Sequence, residues 1–272
     1  MASRSSGVAI VYRMFLHIAV AFALAAETGC AMVADAPAVR ALAPLGKLRV
    51  GLYQGTPTSI IGDPSSGSAK GVGYDLGKEL AARAGVPFEP IVFARNAEVL
   101  AAAKSRAVDI VFTNATPVRR QELDFSPTVL DVEQGYLVPR GSTISSVAGV
   151  DRHGVRVGVS EGSTSEGMLS RDLRNARFVR TASVKAAIDM LATGNLDAFA
   201  TNKPTLFEMS DELPGSRVLQ GHYGTESFAI GIPKGRDAAM PLINDFVLEA
   251  KTNGIVARAV ERAGLRGTLQ AN

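Results

Sequence analysis

Apolar positions along the chain fall into short runs that alternate with stretches of helical spacing. Residues 48–52 are apolar except for Arg49 and open onto a loop of Gln, Gly, Thr, Pro and Ser, which predicts a buried parallel strand. Leu76, Leu80 and Ala84 recur at helical spacing and Gly85-Val86-Pro87 follows as a stop, so residues 75–84 read as a helix. Residues 87–93 predict the next strand, 99–105 a helix and 109–113 a strand. A strand over 133–138 then leads through Pro139-Arg140-Gly141 into a second series: strand 155–159, a helix from Ser163, a strand near 178–180, helix 184–192 and strand 197–201. Residues 227–232 read as a further strand, followed by Pro233-Lys234-Gly235 and an amphipathic helix over 240–253, whereas 36–44 is a Pro/Ala-rich spacer. Strands alternating with helices predict parallel βαβ units.

The two series repeat one pattern. Leu48-Arg49-Val50-Gly51-Leu52 is followed by Val108-Asp109-Ile110-Val111-Phe112-Thr113-Asn114, and Val155-Arg156-Val157-Gly158-Val159 by Leu196-Asp197-Ala198-Phe199-Ala200-Thr201-Asn202. Two similar α/β units facing one another make a cleft, which is a binding architecture. If the second unit is inserted into the first, Val138 and Phe228 lie on two connecting strands that form a hinge. The symmetry of Asp109 and Asp197 predicts a structural role for both.

Composition narrows the classes. At 272 residues with 46% apolar content, the chain fills one large or two modest cores. Lys and Arg total 29 against 26 acidic residues, with no basic run longer than Arg119-Arg120, so nothing favours nucleic acid. Arg4 and Arg13 precede an apolar run over 14–26 followed by small residues, which reads as an export signal over residues 1–36, with cleavage after Ala36 or Ala25. The single cysteine, Cys30, sits behind Thr28-Gly29 and is either a lipid attachment site or is discarded with the signal. It can form no disulfide within the chain, and Cys₂ or Cys₄ metal sites are excluded.

Ligands of α/β sheets bind beyond the carboxyl ends of the strands, where helix N-termini point, and three loops fit that position. In residues 113–119, Thr116 is a candidate N-cap and Pro117 suits the first helical position. Arginine in a first turn opposes the helix dipole, so Arg119 or Arg120 is explained by an anion, or else by pairing with Glu122 or Asp124. In residues 160–166, Ser163 and Glu166 form an S-x-x-E capping box that offers hydroxyls and amide groups to an anion or simply starts a helix. Thr201-Asn202-Lys203 is the third. Gly158-Val159-Ser160-Glu161-Gly162 is also a literal G-x-S-x-G after a strand, with His222 as candidate base and Asp197 or Asp211 between, but no oxyanion segment accompanies it. His153 and His222 are too isolated for zinc, and no phosphate-binding glycine loop is present, so neither metal nor cofactor is called for.

With these residues in hand, the chain resembles the family 3 extracellular solute-binding proteins, the amino-acid receptors of ABC importers. Residues 116–126, Thr-Pro-Val-Arg-Arg-Gln-Glu-Leu-Asp-Phe-Ser, resemble the family's T-P-x-R-(x)₄-D-F-S segment, and residues 71–76, 155–158, 162–164 and Gly254-Ile255 follow in the family's order. The resemblance implies a type II periplasmic binding fold, α/β, with two lobes joined by two hinge strands: lobe 1 from 46–137 and 228–272, lobe 2 from 138–227. It implies a periplasmic receptor that passes a small carboxylate-bearing solute, an amino acid or a derivative, to an ABC permease. Carried over by position, Arg119 matches the arginine that grips a ligand carboxylate, with Asn114 nearby and Ser163 and Thr164 as the second lobe's hydroxyl pair; Thr116, Asn202, Tyr53 and Thr56 are further candidate ligand contacts.

The departures point to the ligand. Where amino-acid binders of the family place an aspartate for the ammonium group, this chain has Asn202, and a neutral amide cannot supply that charge. The first loop carries Thr56-Pro57-Thr58-Ser59 in place of aromatics, leaving Tyr53, Tyr74 or Phe93 as platform. The expectation is a solute whose amino group is missing, modified or recognised otherwise, or an ordinary amino acid with Glu161 or Asp75 supplying the charge. Other readings are a cyclohexadienyl dehydratase-like enzyme using Glu161 or Glu166, and a periplasmic sensory binding protein.

Overall fold

The computed structural model describes residues 35–267; Cys30 and the expected export signal up to residue 34 lie outside them. Among the described residues ten strands and eight α-helices follow in chain order: α1 (Ala36–Leu42), β1 (Leu48–Tyr53), α2 (Val72–Ala84), β2 (Phe88–Phe93), α3 (Asn96–Lys104), β3 (Ile110–Asn114), β4 (Leu123–Phe125), β5 (Leu130–Val138), β6 (Arg156–Ser160), α4 (Thr164–Asp172), β7 (Arg177–Thr181), α5 (Val184–Ala192), β8 (Ala198–Asn202), α6 (Lys203–Glu212), β9 (Arg217–Val218), β10 (Gly224–Pro233), α7 (Met240–Thr252) and α8 (Ile255–Ala263).

The strands run in the order β2-β1-β3-β10-β5-β8-β6-β7, with β4 on β10 and β9 on β5. Each half is the same motif, three parallel strands in the order second, first, third, closed by one antiparallel crossing strand: β10 beside β3, and β5 beside β8. The crossing strands pair with each other, Leu130↔Phe228 to Gln134↔Gly224, so the halves of this two-lobed α/β fold share one curled sheet. The apolar core changes hands along β5, where Val132 packs with Leu52, Leu76 and Ile230, and Tyr136 and Val138 pack with Val157 and Ala200.

The sequence repeat has a packing cause. A Cβ on Gly51 would stand 3.1 Å from the Val108 side chain, and one on Gly158 2.5 Å from Leu196, so each first strand needs a glycine beside the apolar residue that precedes the aspartate. Each aspartate then receives the neighbouring first strand. Arg49 donates to Asp109 from its backbone N and from Nε and Nη2, and Arg156 does the same to Asp197. Asp109 is fully buried and takes a second guanidinium from Arg236 at 2.8 Å, which compensates its desolvation.

Three sequence expectations are corrected. The Pro/Ala-rich spacer is α1, because Ala38 and Leu42, one turn apart, are both buried in the first half's core. Residues 119–121 make one 3₁₀ turn rather than a helix. Thr116 Oγ1 does accept the Arg119 N–H at 3.3 Å in the manner of a cap, but Leu123 and Phe125 are drawn into β4 against β10 and end the turn. The dipole argument for an arginine there therefore lapses. The crossing strands also begin earlier than their patterns suggest, at Leu130 and Gly224, and β4, α6 and β9 were not anticipated.

Candidate functional site

The carboxyl ends of β1, β3, β6 and β8 converge with the crossing strands on one cavity, and of the side chains lining it only Arg119 and Glu226 are charged among the described residues. Arg119 comes from the turn after β3. Its Nη1 donates to Thr113 Oγ1 at 2.7 Å, to the Asn114 carbonyl at 3.2 Å and to Thr164 Oγ1 at 3.3 Å, and its Nη2 to the Gly162 carbonyl at 2.9 Å. These contacts reach both halves of the fold. Burial pulls the guanidinium below its ordinary pKa and the Glu226 charge opposes that pull. The Nε–H meets no protein acceptor among the described residues, so a donor remains for a ligand. Arg120 is exposed, lies over the Phe125 ring at 5.4 Å and donates to the Ala115 carbonyl. Neither arginine pairs with the nearby acids: Glu122 binds Lys104, and Asp124 binds Lys234.

Glu226, on β10, is buried and was missed by sequence reasoning. It accepts from Gln134 Nε2 at 2.6 Å, from Thr164 Oγ1 at 2.7 Å and, at the long distance of 3.5 Å, from Asn202 Nδ2. Strand parity was an available signal. Glu226 shares alternation with Phe228, Ile230 and Ile232, so its side chain takes the inward face they occupy. Asn202 is the N-cap of α6, its Oδ1 accepting from the backbone N and hydroxyl of Thr205 at 3.1 and 2.8 Å.

Ser163 caps α4 through the Glu166 N–H at 3.1 Å, while the Glu166 carboxylate reaches back to the Gly162 N–H at 2.6 Å and also binds Arg180. Ser163 and Thr164 both line the cavity. Gly162 is where the halves touch: at φ 74° it accepts from Arg119 and from Asn96 of α3, and a Cβ there would lie 3.2 Å from Ala97 Cα. Tyr53 makes the other bridge. Its hydroxyl lies 3.4 Å from Ser160 Oγ and accepts the Val184 N–H at 3.1 Å, and burial raises its pKa against both contacts. The loop after β1 is tied to α2, whose first N–H groups donate to the carbonyls of Pro57, Thr58 and Ser59, so that helix start offers no anion site.

Of the residues picked from sequence, Tyr53, Thr56, Arg119, Ser163, Thr164 and Asn202 line the cavity. Asn114 contributes its backbone carbonyl to Arg119, and Thr116 lies on a neighbouring groove with Pro117 and Val118. Phe112, Thr113, Ser165 and Phe228 join the wall without having been picked, and Tyr74 instead packs edge-on to Phe88 at 5.3 Å. Neither acid proposed to supply charge lines the cavity: Asp75 pairs with Arg262 of α8 at 2.8 Å, and Glu161 is exposed. The hydrolase constellation also fails to assemble. His222 lies 3.9 Å from Glu133, Asp197 is held by Arg156 and Asp211 by Arg266, so none of the three activates Ser160.

The model of the bacterial extracellular solute-binding proteins, family 3, matches residues 48–264. The ABC transporter glutamine-binding protein GlnH of Bacillus subtilis (strain 168) is 27% identical over 206 residues, 73% of this chain and 75% of GlnH. Among solved structures, a mutant of ArgBP from T. maritima is similar with a TM-score of 0.74 at 23% identity, covering 84% of this chain and 99% of that one. An ancestral amino-acid-binding protein described as a precursor of cyclohexadienyl dehydratase has a TM-score of 0.72 at 24% identity, covering 82% and 98%. At such identities both structural likenesses bear on the fold.

Proposed function

From the premise that the chain belongs to the bacterial extracellular solute-binding proteins, family 3, we propose that it holds its solute by a carboxylate gripped by Arg119. As a member of that family it is a solute-binding protein of an ABC importer rather than an enzyme. The observation that carries the ligand reading is the Arg119 guanidinium, fixed by acceptors from both halves and retaining an N–H for a ligand. An arginine held this way matches a carboxylate in geometry and charge. Around it Tyr53, Thr56, Ser163, Thr164 and Asn202 form the remaining contacts, with Asn114 and Thr116 shaping the arginine's turn.

Residues 46–137 with 228–272 act as one lobe and 138–227 as the other, closing about β5 and β10. The change of core along β5 falls between Val132 and Tyr136, which supports a division within that strand a few residues before 138. Family proteins work outside the cytoplasm, and the N-terminal segment would export this one to the periplasm, where it meets a membrane permease. Mass spectrometry of the mature protein distinguishes cleavage after Ala36 or Ala25 from a lipid on Cys30.

Calorimetry tests the anchor. The L-amino acids are compared with their methyl esters; binding of at least one free acid and loss of binding by its ester is expected, and equal affinity for both overturns the assignment.

A further inference from the structure

We infer that Glu226 receives a cationic group of the ligand, so that the site selects a zwitterion and the selecting charge lies on a crossing strand. The inference rests on the reading of Arg119 as carboxylate anchor and adds the second pole. Arg119 and Glu226 face the same cavity and are joined through one hydroxyl: Arg119 Nη1 to Thr164 Oγ1 at 3.3 Å, and Thr164 Oγ1 to Glu226 Oε1 at 2.7 Å. A simple anion placed beside Arg119 would lie against the Glu226 charge in a water-poor site, where like charges repel strongly. A ligand bearing both charges meets complementary groups at both ends.

The carboxylate is held in place by a buried network. Ser165 Oγ at 2.7 Å and Tyr223 Oη at 3.0 Å both donate to Gln134 Oε1, which leaves the Gln134 amide nitrogen to face Glu226. Gln134 is fully buried. Gln134, Thr164 and Asn202 supply three donors to a carboxylate with about four lone-pair sites, so capacity for a ligand N–H remains. Asn202 fits the same picture, since its amide donates to Glu226 where an acid would repel it. Gln134 stands on β5 and Glu226 on β10, in the segment where those strands pair, so a cation bound here pulls on both crossing strands at once.

The test is calorimetry of the full mature protein with each L-amino acid and the 2-hydroxy acid carrying the same side chain. The wild type should bind at least one amino acid about 30-fold more tightly than its hydroxy analogue, the scale of one charged hydrogen bond. Glu226→Gln should bring the pair to within about threefold while leaving the far-ultraviolet circular dichroism unchanged. If Glu226→Gln does not fold, Glu226→Asp should keep the preference at reduced affinity. A wild type that binds the two classes equally, a glutamine variant that keeps the preference, or a folded aspartate variant that loses it overturns the proposal. If hydroxy acids bind and no amino acid does, Glu226 is refuted and Arg119 stands; if neither class binds, the anchor itself has failed.

Discussion

Asn202 Nδ2 stands 3.5 Å from Glu226 Oε2 while Asn202 Oδ1 caps α6 through Thr205. One amide thus serves a helix start with its oxygen and a buried carboxylate with its nitrogen. Aspartate would cap the helix equally well, so the cap does not explain the choice of asparagine. The neighbouring charge does.

Asn202→Asp is therefore expected to keep α6 and to set two carboxylates side by side. One carboxyl of the pair then titrates above its unfolded value, so the folded state holds its proton more tightly. The variant's stability deficit grows as pH rises from about 4 towards 7, by about 1.4 kcal/mol for each pH unit of that upward shift. Thermal melts at the two ends of the range check it; a deficit that is constant or larger in acid contradicts the assignment.

Arg119→Ala should weaken carboxylate binding by about 2–5 kcal/mol, because it also leaves the buried Glu226 without its counter-charge. Arg119→Lys keeps the charge and loses the fork, so most of the affinity should still be lost. Titration calorimetry measures both. Affinity within threefold of wild type in either variant would show that the anchor lies elsewhere.

Tyr53→Phe removes a hydroxyl that contacts Ser160 and the Val184 N–H across the cleft. Each such bond is worth about 0.5–1.5 kcal/mol, so ligand dissociation should quicken several-fold with little change in melting temperature. Stopped-flow release kinetics read the effect directly.

Gly71→Ala tests the seat of α2. Gly71 has φ 151°, and a Cβ would fall 2.3 Å from the Ser59 carbonyl oxygen, in the loop that satisfies the helix's first N–H groups. Backbone cannot yield there as a side chain can, so a loss of about 2–4 kcal/mol is expected in urea unfolding. A loss below about 1 kcal/mol would mean the loop moves freely.

Asp197 is held below the usual carboxylate range, first by its hydrogen bonds with Arg156. A depressed folded pKa stabilises above the unfolded value, and that contribution disappears as pH falls through the folded one. The stability difference between wild type and Asp197→Asn should be full at neutral pH and shrink below about pH 4. Urea midpoints at pH 7 and pH 3 show whether it does.

The sequence by itself determined the two α/β units, the place of Arg119 just beyond β3 and the hydroxyl pair at the start of α4. The reason is local: strand alternation, helical spacing, caps and the glycine–aspartate repeat act over a few residues or between paired neighbours, as Gly51 with Val108 and Gly158 with Leu196 illustrate. The tertiary structure alone decided the second charge of the site. Glu226 reaches Gln134, Thr164 and Asn202 because β10 pairs antiparallel with β5 in one particular register. It likewise stopped the turn at Arg119 by drawing Leu123 and Phe125 onto β10, and sent Asp75 to Arg262 instead of the cavity. Register between distant strands follows from the summed packing of both halves, and no short window of sequence contains that sum.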